Sequence, residues 1–142
     1  MGRIQPGKPS QQRGKIPLQD PPPADGNLTF SFRHLDMASN PKFCVHRCKE
    51  GYLPKFLERL KDLNSVTVRE FRENKSKAFR SHTHDWSKTT ETAGFSHLND
   101  QLRSLPGWQF EISGNEHGRI HGFIVERVFH VVWLDPDHLL YG

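Results

Sequence analysis

The stretch WQFEISGNEHGRIHGFIVERVFHVVWL, residues 108–134, decides the fold. It contains three short segments that alternate in polarity or accumulate β-branched residues: WQFEIS, RIHGFIVE and VFHVVWL. In the first segment, Trp108, Phe110 and Ile112 share one face of a strand. Because the connections are short, neighbouring strands are expected to pair antiparallel. The stretch therefore predicts a three-stranded antiparallel sheet at the C-terminal end of the chain.

Two helices are predicted before this sheet. The sequence YLPKFLERLKDLNS carries apolar residues at helical spacing, and Pro54 suits its first turn. In TVREFRENK, Thr67 is followed three residues later by Glu70, which is the signature of a capping box. A short loop joins the two segments, so we expect a helical hairpin. The predicted apolar stripe of the first helix consists of Tyr52, Leu53, Phe56, Leu57, Leu60 and Leu63.

The remaining elements are shorter. TFSFRHL (29–35) alternates as a half-buried strand does, and KFCVHRC (42–48) is expected to pair with it as a strand hairpin. FSHLNDQLRSL (95–105) favours a short helix that Pro106-Gly107 ends. A strand hairpin, a helical hairpin and a C-terminal antiparallel sheet together predict an α+β fold.

The N-terminal region differs in composition from the rest. Residues 1–27 contain Pro6, Pro9, Pro17, Pro21, Pro22 and Pro23, six of the ten prolines, and show no apolar periodicity. Such a segment buries too little surface to offset its chain entropy. We therefore predict a disordered proline-rich arm at 1–27 and a single α+β domain at 28–142.

The net charge and the cysteine content bear on the partners of the chain and on its cellular compartment. The net charge of +4 is compatible with a nucleic-acid or acidic protein partner, and equally with an ordinary solvated surface. An 18-residue apolar run and a signal-peptide core are both absent, so we expect a cytoplasmic chain without a membrane partner. Cys44 and Cys48 on a strand would be about 13 Å apart, too far for a disulfide or a shared zinc ion. Two free thiols are expected.

Two groups of residues near the C-terminus are candidates for chemistry. Arg119 and His121 share a strand face, and an arginine there can hold a phosphate with two hydrogen bonds. His138 follows a turn, with Asp135 or Asp137 available to orient it, and Tyr141 lies three residues further on. The alternatives are a solvated arginine at a sheet edge, and a surface histidine beside a tyrosine that covers the core.

A third candidate is the basic segment between the helices and the sheet. Its histidines, cations and aromatic residue suit contact with a nucleic-acid backbone. Two histidines and a carboxylate (His82, His84 and Asp85) also allow a metal site, and a plain surface loop is a further alternative. The RNA-binding candidates are Lys75, Lys77, Arg80, His82, His84 and Trp86.

The order of these elements resembles the RelE/ParE superfamily of bacterial toxins, in particular its YoeB- and HigB-like branch. The resemblance rests on Gly118-Arg119-Ile120, on the strand 128–134, and on His138 followed by Tyr141. It covers mainly residues 108–142, with the helix pair matching by pattern. The proline-rich arm and the long segment 74–94 depart from the compact form of these toxins.

The resemblance implies a metal-independent endoribonuclease that needs no cofactor, acts on RNA or on mRNA at the ribosome, and is controlled by an antitoxin protein. In that reading Arg119 binds phosphate, His138 transfers a proton, and Tyr141 stacks on a base, with His121 beside them. The sequence also allows two other hypotheses: a non-catalytic nucleic-acid- or protein-binding module of a bacterial defence system, and a metal hydrolase built on His82, His84 and Asp85.

Overall fold

The computed structural model describes residues 26–74, 79–113 and 116–142. The predicted arm lies outside the described residues up to position 25, whereas its last residue, Asn27, bridges to Thr67. The helices are α1 (Tyr52–Leu63), α2 (Val68–Glu73) and α3 (Asp100–Arg103). The strands are β1 (Thr29–Ser31), β2 (His82–Thr83), β3 (Trp108–Glu111), β4 (Arg119–Val125) and β5 (Val128–Asp135).

The strands form one sheet in the order β1-β5-β4-β3-β2. β3, β4 and β5 pair antiparallel, as the sequence predicts. β1 joins the edge of β5 in parallel, and β2 extends the opposite edge by pairing antiparallel with β3. The α+β class is therefore confirmed, in the form of a mixed five-stranded sheet.

The predicted strand hairpin at the beginning of the domain is wrong. The segment around residues 42–48 forms two short 3₁₀ turns, Pro41–Phe43 and Val45–Arg47, and it does not pair with β1. Asn40 caps the first turn by accepting a hydrogen bond from the Lys42 amide, and Pro41 suits its first position. β1 instead pairs with β5, which is about 100 residues away in the sequence, so a local sequence pattern could not predict this pairing.

The helical hairpin covers one face of the sheet. The capping box at the start of α2 is present in both directions, between Thr67 and Glu70. The predicted stripe of α1 is only partly correct, because Leu53 and Leu57 are exposed. The buried set follows the i, i+4 spacing of one helix face: Tyr52, Phe56, Leu60 and Leu63, packed against Phe110, Ile120, Phe129 and Val131 of the sheet.

The opposite face of the sheet is covered by turns and loops. α3 spans only Asp100–Arg103, so most of the predicted helix at 95–105 is irregular. Phe95 nevertheless packs here, and its ring lies 4.9 Å from that of Trp133. The buried residues of this second cluster are Phe43, Phe95, Phe123, Val132, Trp133 and Leu140.

A bulge in β5 supports this second cluster. His121 pairs with Trp133 and Gly122 pairs with Val131, which leaves Val132 as an extra residue on β5. Val132 and Trp133 consequently both belong to the second cluster. The close approach requires glycine on β4, since a Cβ on Gly122 would lie 2.0 Å from the carbonyl oxygen of His130.

None of the described helices is long and apolar enough to cross a membrane.

Gly122→Ala should destabilise the fold by about 2–3 kcal/mol, because the added methyl group meets backbone that cannot move without breaking the ladder. Chemical denaturation would measure this loss. Gly26→Ala is the matched control: the three atoms nearest to its added methyl group all belong to the flexible side chain of Arg127. Equal stability of the two variants would contradict the role given to the bulge.

Candidate functional site

The functional candidates lie on the sheet face that the loops cover. The register places Glu111, Arg119 and Asp135 in one row across β3, β4 and β5. Gln109 and His121 lie in the next row. Four of these five are buried, with Arg119 half-buried, so the polar positions that alternate with core residues do not face solvent. Burial of this kind requires that the groups bind one another.

Asp135 organises the C-terminal turn. It is 1% exposed, and its carboxylate accepts hydrogen bonds from the amides of Leu139 (2.7 Å) and Leu140 (3.1 Å). Thr90 holds the same turn from the other side, since its amide donates to the Leu140 carbonyl. The turn therefore returns the chain over the sheet and places Tyr141 above it.

A continuous chain of hydrogen bonds runs from Tyr141 to Asp135. The Tyr141 hydroxyl lies 2.6 Å from Nδ1 of His84, and Nε2 of His84 lies 3.0 Å from Nδ1 of His121. Nε2 of His121 lies 2.9 Å from Oδ2 of Asp135. Four side chains from three separated parts of the sequence thus form one line, with its exposed end at Tyr141.

The chemistry of the groups fixes the direction of this chain. An ionised Asp135 can only accept, so His121 donates from Nε2 and presents a bare Nδ1. His84 must then donate from Nε2, which leaves its own Nδ1 to accept the hydroxyl proton of Tyr141. Every proton in the line therefore points towards Asp135.

The pKa shifts agree with this assignment. Burial, together with the nearby His121, lowers the pKa of His84 to about 2, so its ring is neutral. Burial also lowers the pKa of His121, against the opposing effect of Asp135. Burial alone would raise the pKa of Asp135, but hydrogen bonds from His121 and from the turn amides hold it below its usual value. Burial raises the pKa of Tyr141, which keeps the phenol protonated.

Arg119 is held by a carboxylate that sequence reasoning did not identify. Its guanidinium lies 3.0 Å from Oε2 of Glu111, whose side chain is only 2% exposed. Arg80 approaches the same oxygen at 3.4 Å from the solvent side. Oε2 has these ion pairs but no well-directed hydrogen bond. One carboxylate between two guanidiniums leaves this trio with one positive charge.

A cavity of about 220 Å³ lies against these groups. Its walls bring together three residues that the sequence analysis proposed, Arg119, His138 and Tyr141, with Gln109 and Asp135. His138 has a φ of 58°, a left-handed conformation that is uncommon outside glycine. Among the described residues, nothing bonds to Nε2 of His138 or to Oε1 of Gln109, although both atoms are buried. Such atoms are suited to a ligand.

The sequence predicted that Asp135 or Asp137 would orient the His138 ring, but both carboxylates bind other groups. Asp135 is occupied by His121 and the turn amides. Asp137 instead forms ion pairs with Arg47 and Lys49 of the neighbouring loop. The left-handed backbone, rather than a carboxylate, places the imidazole at the cavity.

The other predicted site residues lie at different depths. His121 is 0% exposed, so it can contact a ligand only through its neighbours in the chain. His82 is exposed on β2, and its ring lies 6.2 Å from that of Tyr141. Trp86 is half-buried and packs on Phe95, with ring centroids 4.9 Å apart. Lys75 and Lys77 lie outside the described residues.

The structure also bears on the metal hypothesis and on the two cysteines. Both ring nitrogens of His84 are hydrogen-bonded, to Tyr141 and to His121, so in this arrangement it has no lone pair for a metal. Cys44 and Cys48 are free thiols, as expected. Among the described residues, no three histidine, cysteine or acidic side chains are placed to share a metal ion.

Comparisons with protein-family models, with curated proteins and with solved structures found no match to this chain. The function of the site is therefore inferred from its geometry and from chemical principles.

The half-buried His84 and the fully buried His121 should make the fold sensitive to acid. The folded-state pKa of His84 lies far below the ordinary value of about 6.5, so its stabilisation is complete above that pH and is lost as the pH falls below it. Between pH 7 and pH 5 the free energy of unfolding should fall by about 2 kcal/mol from His84. Urea denaturation at both pH values would measure it.

His84→Phe should reduce this difference between the two pH values, whatever its effect on stability at pH 7. His46→Phe, at an exposed position outside the chain of hydrogen bonds, is the matched control. An unchanged difference in His84→Phe would contradict the assignment of a neutral buried imidazole.

Proposed function

We propose that this protein is a metal-independent endoribonuclease that cleaves RNA in the cavity formed by Arg119, His138 and Tyr141. The observation that carries the proposal is that the cavity combines a guanidinium, an imidazole with an unbonded nitrogen, and a phenol linked to a buried carboxylate. The resemblance of the sequence to RelE-like toxins assigns the same three residues. A cytoplasmic RNA or ribosome-bound mRNA is the proposed substrate, and an antitoxin protein is the proposed regulator.

The chemistry of RNA cleavage matches these groups. The 2′-hydroxyl attacks the neighbouring phosphorus, negative charge accumulates on the phosphate oxygens, and the 5′-oxygen leaves with a proton. The cation of Arg119 stabilises the accumulating charge, and the Glu111 carboxylate holds it in place. His138 provides a ring nitrogen for proton transfer at the cavity wall.

The approach to the cavity also suits a single strand. Tyr141 is 46% exposed, so its ring is available for a base to stack on. His82 lies beside it on the edge strand, and the side chain of Arg80 is 69% exposed. Together with the predicted contacts of Lys75 and Lys77, these residues form the proposed path for the RNA backbone.

Purified protein should cleave a labelled single-stranded RNA, or mRNA in a ribosomal complex, in the presence of EDTA. The products should carry a 2′,3′-cyclic phosphate and a 5′-hydroxyl, and DNA of the same sequence should remain intact. Arg119→Ala and His138→Ala should each lower the rate at least about 100-fold, because each removes a group that acts in the transition state. Gel mapping of the RNA ends gives both rate and chemistry.

Arg72→Ala and His46→Ala are matched controls, since both residues are exposed and neither lines the cavity. Induced expression in bacteria should arrest growth, and the two active-site substitutions should relieve the arrest. Wild-type cleavage by both site variants would overturn the proposal. Salt-dependent RNA binding without cleavage would support the alternative, a non-catalytic binding module.

A further inference from the structure

We infer that Tyr141, His84, His121 and Asp135 act as a proton relay, in which the Tyr141 oxygen takes the proton of the attacking 2′-hydroxyl and Asp135 is its final acceptor. The inference rests on the proposed function and deepens it, because RNA cleavage needs both a base and an acid. Within the relay Tyr141 is the catalytic residue, and the other three are positioning residues that act through it.

The first support is the uniform direction of the hydrogen bonds. Tyr141 donates to His84, which leaves the lone pairs of its oxygen for a hydroxyl group in the cavity. When that hydroxyl gives its proton to Tyr141, the phenolic proton moves to Nδ1 of His84. The Nε2 proton of His84 moves to His121, and the Nε2 proton of His121 moves to Asp135. Tyr141, His84 and His121 each receive one proton and release one, and Asp135 keeps the last.

The second support is the distance of each transfer. The three contacts measure 2.6, 3.0 and 2.9 Å, all within the range for direct proton transfer. His121 is 0% exposed and Asp135 is 1% exposed, so water does not compete for these protons. Neither imidazole needs to carry a charge at any stage, which suits their burial.

The reaction then balances. The bond between O2′ and phosphorus forms, the bond between phosphorus and O5′ breaks, and the proton of the 2′-hydroxyl arrives at Asp135. His138, in its protonated form, donates a proton to the leaving O5′. After the reaction the proton on Asp135 returns along the relay and leaves to water at Tyr141, and His138 takes up a proton from solvent, which restores the starting state. The relay through His84 and His121 thus removes a proton from the substrate, and His138 donates one to it.

Charged and titratable groups surround the relay on several elements. The strands supply Arg119 and Glu111, and the edge segment supplies His82, Asp85 and Arg80. Tyr52 faces Asp135 from α1. The C-terminal turn supplies His138, which shares the cavity wall with Asp135.

The experiment is a comparison of Tyr141→Phe and Asp135→Asn with wild type on two RNA substrates. One has the natural O5′ at the scissile bond, and the other has sulfur in its place. A thiolate leaves without protonation, so the second substrate needs a base but no acid. Both variants should lose at least about 100-fold in kcat on both substrates, while His138→Ala should lose activity only on the natural one.

The double variant should lose no more than either single variant, because the two residues belong to one relay. Asp137→Asn is the matched control, since this carboxylate lies in the same turn but pairs with Arg47 and Lys49. Tyr141→Phe keeps the ring and the carboxylate that folds the turn, so it tests the relay even if Asp135→Asn unfolds the tail.

The pH profile supplies an independent readout. A relay that ends on an ionised Asp135 keeps its capacity as base when the pH falls from 7 to 5, so the sulfur substrate should be cleaved at a nearly constant rate. An imidazole acting as the base would instead lose about tenfold per pH unit below its pKa.

Wild-type rates in Tyr141→Phe, or recovery of that variant on the sulfur substrate, would overturn the relay while leaving the endoribonuclease intact. Absence of cleavage by the wild type on every RNA would overturn the proposed function, and with it the reaction assigned to the relay. Nitrogen NMR of the two imidazoles separates these failures, because it reads the tautomers directly and needs no substrate.

Discussion

The carboxylate of Asp135 is the group on which the site depends. It ends β5, accepts two amides of the C-terminal turn and receives the ring of His121. A buried carboxylate without these donors would carry a large desolvation cost, so folding of the turn and burial of the charge are one event. The two amide hydrogen bonds fold the turn that carries Tyr141 over His84. Loss of this group would remove the wall of the cavity as well as a charge.

A second constraint is the β-bulge on the neighbouring residues. The extra Val132 directs Trp133 into the loop-covered layer, where its indole nitrogen donates to the buried Asp36 at 2.9 Å. Phe43 stacks on the same indole with centroids 4.5 Å apart. The loops thus have a rigid aromatic platform, although they contain little regular structure. This explains how a layer without long helices can bury polar groups and keep them aligned.

Periodicity could predict the elements whose partners are near in the sequence. The sheet from β3 to β5, the two helices and the Thr67 capping box follow from local spacing. The parallel pairing of β1 with β5 and the contact of His84 with His121 could not be predicted, because each joins residues far apart in the chain. Arg119, His138 and Tyr141 could be named as candidates, but Glu111 and Gln109 were missed. Their alternation with apolar neighbours indicated a solvated face, whereas the loops bury it.

The arrangement also explains where charge would move during the proposed reaction. Before attack, negative charge lies on Asp135, deep in the loop-covered layer, and on Glu111 between two guanidiniums. Passage of one proton along the relay neutralises Asp135, while the equivalent negative charge appears on the phosphate oxygens beside Arg119. A unit of charge therefore leaves a buried carboxylate and arrives near a guanidinium, without a charged imidazole between them. The low dielectric of the layer strengthens the attraction at Arg119, and the fixed positions of the donors avoid reorganisation. Burial of the relay and the position of Arg119 at the cavity thus act together on one transition state.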